Sequence, residues 1–256
     1  MQKTNIPGPD FVIAGAARAG TTHLFHLCSL QPDIYMAQPV NPEPKFFTRG
    51  ELYEKGTDWY LNTYFKGAKE GQICGEKSVE YLESKAFPAN AKRYYPQLKI
   101  IVLLRNPIDR TVSNYWWSVK NGMETRPLRE AIEQEIAEGI EENGTVLVEK
   151  TRPHVYLGRS LYYKALSGIY DHFPAENILL LDFHRYRSDI GPVIEQLETF
   201  LKVPFPVFST DIDKNPGLPP RPVEKDLLDK MRDLFAPDIE KVNKAFNMDL
   251  SLEYGT

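Results

Sequence analysis

A loop that could bind an oxyanion is the first chemical feature of the chain. Residues 15–22 read Gly-Ala-Ala-Arg-Ala-Gly-Thr-Thr and stand between an apolar run at 11–14 and a helical pattern from Thr22. A glycine-rich turn at a helix N-terminus offers backbone N–H groups and the positive end of the helix dipole to an anion. We therefore predict a phosphate or sulfate site there, made by Ala19, Gly20, Thr21 and Thr22, with His23 close enough to touch a sulfate. A tight glycine turn without a ligand is the alternative.

The cation of this loop lies inside the turn, at Arg18, rather than after it. The Gly-x4-Gly spacing matches a Walker loop, but a nucleotide triphosphatase needs Lys where this chain has Thr21. A Walker lysine neutralises β- and γ-phosphates, whereas a cation within the turn can lie at a bridging oxygen. Thr21 therefore counts against a magnesium-dependent kinase or triphosphatase.

A second anion signal follows the apolar run at 100–104. Arg105 stands where that run ends, and Ser113 lies on the helix that Pro107 begins. Ligands of open α/β sheets collect at the carboxyl ends of strands. A fixed guanidinium with a hydroxyl makes a good clamp for a monophosphate. The alternative is that Arg105 caps a helix or pairs with Asp109.

The elements that must position these residues alternate between strand and helix. Apolar runs at 11–14, 100–104 and 178–181 predict strands buried on both faces of a parallel sheet. Helical patterns follow them at 22–30, 109–120 and 192–201, and further helices are predicted at 58–65, 86–94, 128–138, 160–173 and 223–235. Strand–helix alternation implies right-handed crossovers and an open α/β sheet flanked by helices, with a P-loop-like start. The proline-rich stretch at 204–222 reads as a loop, so residues 1–256 are predicted to form one domain.

Composition limits the classes of partner. The formal net charge is −4, which argues against a general nucleic-acid binder, and the apolar runs are too short to span a bilayer. The N-terminus does not read as a signal peptide, and Cys28 and Cys74 lack metal-ligand spacing. We expect reduced core cysteines, a cytoplasmic protein and no metal site.

The two anion motifs together resemble the sulfotransferase family that uses 3′-phosphoadenosine 5′-phosphosulfate. The loop at 15–22 resembles its 5′-phosphosulfate loop, usually Lys-x-Gly-Thr-Thr or Lys-x-Gly-Thr-Ser, and 105–113 resembles its 3′-phosphate motif. Two more segments are similar to the branch that includes heparan sulfate sulfotransferases and many bacterial relatives. These are Pro-Glu-Pro-Lys-Phe-Phe at 42–47 and Gly-Glu-Lys-Ser-Val-Glu-Tyr at 75–81. The resemblance runs from about residue 11 to the C-terminus and implies the sulfotransferase fold.

The resemblance also implies roles for individual residues. Glu43 corresponds to the catalytic base, and Lys77 to the lysine that faces the acceptor. Arg18 would stabilise the departing phosphate oxygen, and Lys45 would orient acceptor or sulfate oxygens. The nucleotide product is 3′,5′-adenosine bisphosphate, and this scheme requires no metal. Glu43 and Lys45 as a solvated charge pair, and Glu76 as a support for Lys77 or as the base itself, are the alternatives.

Two departures from the family pattern change the expected details. Arg18 replaces the usual lysine, and because arginine does not readily give up a proton, its role would be electrostatic. The family's late Lys-Gly-Arg loop is reduced to Asn-Pro-Gly-Leu at 215–218, so Lys214 or Arg221 is the candidate for the missing charge on the nucleotide.

The acceptor is predicted from charge. The segment at 122–157, which should overhang the acceptor side, contains more acids (Glu124, Glu130, Glu133, Glu135, Glu138, Glu141, Glu142, Glu149) than cations (Arg126, Arg129, Lys150, Arg152). A groove for a polyanion should be basic. We expect a neutral or cationic small acceptor, such as a natural product or a simple glycan. The alternative is an amphipathic helix with a solvated acidic face.

Two rival functions stay open on sequence alone. One is a nucleotide-dependent kinase, which shares the strand–loop–helix start. The other is a nucleotide-binding module without catalysis, which the reduced Lys-Gly-Arg loop and Arg18 would fit. The oligomeric state cannot be derived from the sequence.

Overall fold

A parallel five-stranded sheet forms the centre of the fold in the computed structural model, which describes residues 6–142, 154–206 and 221–255. The strands lie in the order β2-β3-β1-β4-β5. Their bounds are β1 (Phe11–Gly15), β2 (Ile34–Met36), β3 (Ile73–Lys77), β4 (Lys99–Leu104) and β5 (Ile178–Asp182). Each neighbouring pair is parallel. The prediction of an open, mainly parallel sheet flanked by helices is confirmed.

The helices connect the strands and cover the sheet. They are α1 (Thr21–Ser29), α2 (Gly50–Tyr53), α3 (Gly56–Tyr64), α4 (Phe87–Tyr94), α5 (Pro107–Lys120), α6 (Leu128–Glu138), α7 (Tyr163–Tyr170), α8 (Phe183–Ser188), α9 (Ile190–Leu201) and α10 (Lys225–Phe246). Short 3₁₀ segments occur at Val79–Glu83, Gly158–Ser160 and Ala175–Asn177. In the described part of the chain, no helix is long and apolar enough to cross a membrane.

The central strands have the burial that their apolar sequences predict. Every residue at 11–14 in β1 and at 100–104 in β4 is 0% exposed. The third predicted strand, β5, is present but lies at the edge of the sheet, where Leu179 and Leu180 are half-buried. The expectation of burial on both faces was therefore wrong for β5, because an edge strand has a neighbour on one side only.

Several bounds differ from the predicted ones for identifiable reasons. β3 reads Ile-Cys-Gly-Glu-Lys. It was not predicted, because its glycine and two charged residues do not form an apolar run. Helix α7 begins later than predicted, because the carboxylate of Asp238 accepts the backbone N–H groups of Tyr162 (2.8 Å) and Tyr163 (3.2 Å). Helix α10 continues through Pro237 to Phe246, beyond the predicted end at 235.

The topology brings three loops to one edge of the sheet. β1 lies between β3 and β4, with Ile13 opposite Lys77 and Gly15 opposite Val102. Parallel strands have their carboxyl ends at the same edge, so the segments after Gly15, Lys77 and Leu104 are neighbours. The motifs at 15–22, 75–81 and 105–113 therefore lie at these strand ends. The turn at 42–47 is the quoted motif that does not.

Candidate active site

The loop between β1 and α1 turns through two residues in the left-handed region. Arg18 has a φ of 70° and Gly20 a φ of 82°. A Cβ atom on Gly20 would lie 2.9 Å from the ring of Phe183, so a larger residue would clash there as well as strain the backbone. Gly20 is the N-cap of α1, and no side chain caps this helix. The first amides of α1 therefore lack a side-chain acceptor and can bind an oxyanion.

Arg18 contacts the second predicted motif directly. Its Nε donates a hydrogen bond to the Oγ of Ser113 on α5 over 3.3 Å. The Nη1 of Arg105 donates to the backbone oxygen of Arg18 over 3.1 Å, and its guanidinium lies 4.8 Å from the ring centre of Phe183. The structure thus brings together the loop and the clamp that the sequence assigned to two ends of one ligand.

The alternative for Arg105, a helix cap or a pair with Asp109, is not what the structure contains. Asn106 caps α5 instead, since its side chain accepts the N–H groups of Ile108 and Asp109. The carboxylate of Asp109 accepts the backbone N–H of Gly255 over 3.0 Å. Arg105 therefore neither caps α5 nor forms a salt bridge with Asp109.

Two guanidinium groups, those of Arg18 and Arg105, lie close together at this edge. Burial lowers the pKa of Arg18, and the nearby guanidinium groups of Arg105 and Arg159 lower it further. Burial also lowers the pKa of Arg105. In residues 6–142, 154–206 and 221–255, neither Arg18 nor Arg105 forms a salt bridge. Within the same residues the Nε of Arg105 is buried without a hydrogen-bond partner. A bound anion would supply the missing acceptor and charge.

Arg159 belongs to this cationic cluster and was missed by sequence reasoning. It lies in the 3₁₀ segment Gly158–Ser160, far along the chain from the loop. Its Nε donates to Oε1 of Glu83 over 2.7 Å, and its Nη1 donates to Oδ1 of Asn114 over 3.4 Å. No local motif marks Arg159, because only the tertiary fold brings it near Arg18.

Glu43 and Lys77, the predicted base and acceptor-side lysine, form a salt bridge. The Nζ of Lys77 donates to Oε1 of Glu43, and the backbone N–H of Val79 donates to Oε2 over 3.1 Å. The Glu43 side chain is 12% exposed and that of Lys77 is 7% exposed. The carboxylate is thus held at the carboxyl end of β3, largely but not completely desolvated.

Lys45 pairs with Glu80 rather than with Glu43. Its Nζ contacts one carboxylate oxygen of Glu80, while the Nη2 of Arg49 contacts the other. The alternative of a solvated Glu43–Lys45 pair is therefore wrong, because each of the two has a different partner. Sequence reasoning missed Glu80 and Arg49, although Glu80 lies within the quoted segment at 75–81.

Glu76 is not positioned to act as the base. It is 0% exposed and accepts hydrogen bonds from Tyr60, Tyr81 and Ser78. Burial raises the pKa of Glu76 to about 7, against the lowering effect of these donors. The carboxyl group of Glu76 is thus closed to solvent, whereas the Glu43 side chain is 12% exposed.

The remaining predicted nucleotide residues lie around the same edge or outside the described residues. The Nδ1 of His23 shares a hydrogen bond with the Tyr186 hydroxyl, so this ring nitrogen already has a protein partner. Arg221 lies 3.9 Å from the ring centre of Trp116, which is on α5 like Ser113. Lys214 lies outside the described residues.

The acidic segment is used differently from what its composition suggested. Glu124 is buried and accepts hydrogen bonds from Arg126 (Nη2, 2.6 Å) and the Tyr156 hydroxyl (2.8 Å). Glu135 is buried too, and it accepts the backbone N–H groups of Tyr156, Leu157 and Gly158. Of the charged residues counted there, Glu149, Lys150 and Arg152 lie outside the described residues. At least two of the eight glutamates therefore support the local fold.

Comparison with known proteins finds one matching family model and several sequence relatives. A family model described as "Sulfotransferase domain" matches residues 8–249. The mouse heparan sulfate glucosamine 3-O-sulfotransferase 3A1 is 28% identical over 193 residues, which cover 75% of this chain and 45% of that protein. The bifunctional heparan sulfate N-deacetylase/N-sulfotransferase 1 of Caenorhabditis elegans is 27% identical over 212 residues, 82% of this chain and 24% of that protein. The chain thus spans less than half the length of these curated relatives.

A solved structure covers nearly the whole chain. The sulfotransferase from Alicyclobacillus acidocaldarius is 27% identical, has a TM-score of 0.78, and matches 96% of this chain and 98% of its own. The family model spans β1 to α10 and covers the loop, the Arg105–Ser113 motif and the Glu43–Lys77 pair. This chain belongs to the sulfotransferase domain family.

Proposed function

We propose that the chain transfers a sulfuryl group from 3′-phosphoadenosine 5′-phosphosulfate to a hydroxyl or amine of a small-molecule or glycan acceptor. One observation carries the proposal. The Arg18–Ser113 contact joins two anion-binding motifs at the sheet edge where β3 also presents the Glu43–Lys77 pair. The family membership of the chain supports the same chemistry.

The residues of the cationic edge fit the donor. The unpartnered Nε of Arg105 and the hydroxyl of Ser113 would hold the 3′-phosphate, and the loop at 18–22 would hold the 5′-phosphosulfate. Neighbouring cations that lack carboxylate partners are costly unless an anion is bound. A nucleotide with phosphate groups at both ends would compensate both parts of the edge.

In the proposed reaction the acceptor oxygen or nitrogen attacks sulfur in line with the bond to the nucleotide. The new S–O or S–N bond forms as the S–O bond to the 5′-phosphate breaks, and 3′,5′-adenosine bisphosphate leaves. Glu43 takes the proton that the acceptor loses, which suits a largely desolvated carboxylate. Arg18 stabilises charge on the departing oxygen and transfers no proton to it.

For the acceptor we propose a neutral or cationic small molecule. The cations around the proposed base each face a carboxylate: Lys77 pairs with Glu43, and Lys45 and Arg49 pair with Glu80. A sulfated polysaccharide would gain little from cations that are already neutralised. A neutral or cationic natural product or simple glycan does not need unpaired cations in order to bind.

The proposal is tested with two measurements on the purified chain. The first is thermal stabilisation by 3′,5′-adenosine bisphosphate compared with ATP plus magnesium, since a ligand that binds only the native state raises its stability. The second is sulfuryl transfer to a panel of neutral, cationic and anionic acceptors, scored by the mass of the products. Stabilisation by ATP and magnesium alone would favour a kinase, and bisphosphate binding without transfer would favour a binding module.

A further inference from the structure

Glu76 is a buried carboxyl group that the proposed reaction does not use, although it precedes Lys77 in the chain. The Tyr60 hydroxyl donates to its Oε1 over 2.7 Å and the Tyr81 hydroxyl to the same oxygen over 2.5 Å. The Ser78 hydroxyl donates to Oε2 over 3.0 Å. A buried carboxyl group with three donors fixes all three side chains, because turning any one away would leave a polar atom unsatisfied.

The first connection from Glu76 to the base passes through Ser78. A serine hydroxyl has one proton, and here it points at Glu76, which leaves its lone pairs for another donor. That donor is the backbone N–H of Lys45, 2.8 Å from the Ser78 Oγ. Lys45 has a φ of 51°, in the left-handed region, which is unfavourable for a residue other than glycine. The bond to Ser78 thus holds a turn that would otherwise favour another conformation.

The second connection passes through aromatic rings. The ring of Tyr60 stacks on Phe46 at a centroid distance of 4.3 Å and an interplanar angle of 10°. The ring of Tyr81 lies 5.6 Å from that of Phe47. Both phenylalanines are 0% exposed and directly follow Lys45. The carboxyl group of Glu76 therefore anchors the two tyrosines that flank the end of this turn.

We propose that Glu76 is a positioning residue, which fixes the turn at 43–45 and so aims the carboxylate of Glu43 at the acceptor. The inference rests on the proposed role of Glu43 as the general base. Aim matters because a small displacement of a catalytic group lowers the rate of the chemical step without weakening ligands that bind elsewhere. Glu76 and Ser78 act from inside the protein, while Lys77 and Val79, which alternate with them, contact Glu43 itself.

The test is the Glu76→Gln variant, which retains the shape of the side chain but replaces an acceptor oxygen with an NH₂ donor. We expect hydrogen exchange at the Lys45 amide, followed by NMR in the native protein, to become about tenfold faster. We expect kcat to fall about tenfold, with unchanged KM for the donor and unchanged affinity for 3′,5′-adenosine bisphosphate. An unchanged exchange rate or an unchanged kcat in the folded variant would overturn the proposal.

Two variants of Ser78 and one control variant keep the test decisive if Glu76→Gln does not fold. Ser78→Ala removes the acceptor of the Lys45 amide and should show the same two effects, while Ser78→Thr, which keeps a hydroxyl, should restore both. Glu198→Gln is the matched control, because Glu198 accepts the backbone N–H of Phe205 over 2.7 Å on α9. It should lower stability without changing Lys45 exchange or kcat. If Ser78→Ala leaves both readouts as in the wild type, or Glu198→Gln changes them equally, Glu76 has no positioning role.

The two proposals fail in different ways. If the wild-type chain transfers no sulfuryl group to any acceptor, the proposed function fails. Exchange at the Lys45 amide then still decides whether Glu76 holds the turn, because that measurement needs no turnover. If the wild-type chain is active and Glu76→Gln is equally active, only the positioning role fails.

Discussion

The Nε of Arg18 lies 3.3 Å from the Oγ of Ser113, so the loop after β1 and the helix after β4 share one hydrogen bond. Arg105 reinforces this junction by donating to the backbone oxygen of Arg18. The sequence places these residues in motifs that are far apart in the chain. Their contact is what we expect if one ligand spans both motifs, as proposed above.

We expect Arg105→Ala to weaken binding of 3′,5′-adenosine bisphosphate by about a hundredfold, because charge-assisted hydrogen bonds to a phosphate are lost. Isothermal titration calorimetry at fixed salt measures this change. Arg185→Ala is the matched control: it removes the same charge from α8, but Arg185 is 69% exposed and pairs with Asp249. Equal affinities of Arg105→Ala and the wild type would show that the phosphate clamp lies elsewhere.

We expect Glu43→Gln to lower kcat by a factor of about 10²–10⁴, the usual contribution of a general base. Affinity for the bisphosphate should stay within about twofold of the wild type, since Glu43 takes the acceptor's proton and does not hold the nucleotide. Glu51→Gln makes the same chemical change at an exposed position on α2 and should leave kcat unchanged. A Glu43→Gln variant that binds the bisphosphate and turns over at the wild-type rate would refute the assignment.

The sequence predicted the longer apolar strands and missed β2, which has only three residues, and β3, which contains charged residues. Residues 11–14 of β1 and 100–104 of β4 are buried aliphatic and aromatic residues, and such runs are recognisable in the sequence. β3 carries Glu76 and Lys77 into the interior, where Tyr60, Tyr81 and Glu43 satisfy them. The partners that make a buried charge acceptable come from distant parts of the chain, so local sequence cannot reveal them.

The same dependence on distant partners explains which residues of the candidate site were predicted and which were missed. Glu43, Lys77, Arg105 and Ser113 were predicted because each lies in a motif with a characteristic spacing. Arg159 and Glu80 were missed because their importance comes from neighbours such as Arg18 and Lys45 that only the fold supplies. The acidic count at 122–157 was likewise a weak guide, since Glu124 and Glu135 are buried and hydrogen-bonded.

We expect Glu80→Gln to shift acceptor preference toward anions. Glu80 neutralises both Lys45 and Arg49, and Lys45 keeps 31% of its side chain exposed near the turn of Glu43. Without the negative charge of Glu80, the exposed Lys45 should raise kcat/KM for an anionic acceptor about tenfold relative to a neutral one, less at high salt. Glu133→Gln is the control, since Glu133 also pairs with two cations, Arg129 on α6 and Lys230 on α10, away from the turn of Glu43. The same preference ratio in Glu80→Gln and the wild type would contradict this role.

We expect Glu76 to make the protein less stable as the pH rises from about 4.5 to about 7. Burial raises the pKa of Glu76 from 4.5 to about 7, so over this interval the native state holds a proton that the unfolded chain has lost. The free energy of unfolding therefore decreases with pH across the interval and levels off above it, by up to ~3 kcal/mol in total.

The measurement compares urea unfolding of the wild type and Glu76→Gln between about pH 4 and about pH 8, a range that brackets the interval from 4.5 to about 7. Burial raises the pKa of the Tyr60, Tyr81 and Tyr95 hydroxyls, which face this carboxyl group, so they stay protonated over this range in both proteins. The wild type should lose stability relative to the variant as the pH rises, and parallel pH curves would contradict the prediction. The ionised form is the one that accepts all three hydroxyl donors. Glu76 would therefore hold the turn of Glu43 most firmly at the pH values where it stabilises the whole fold least.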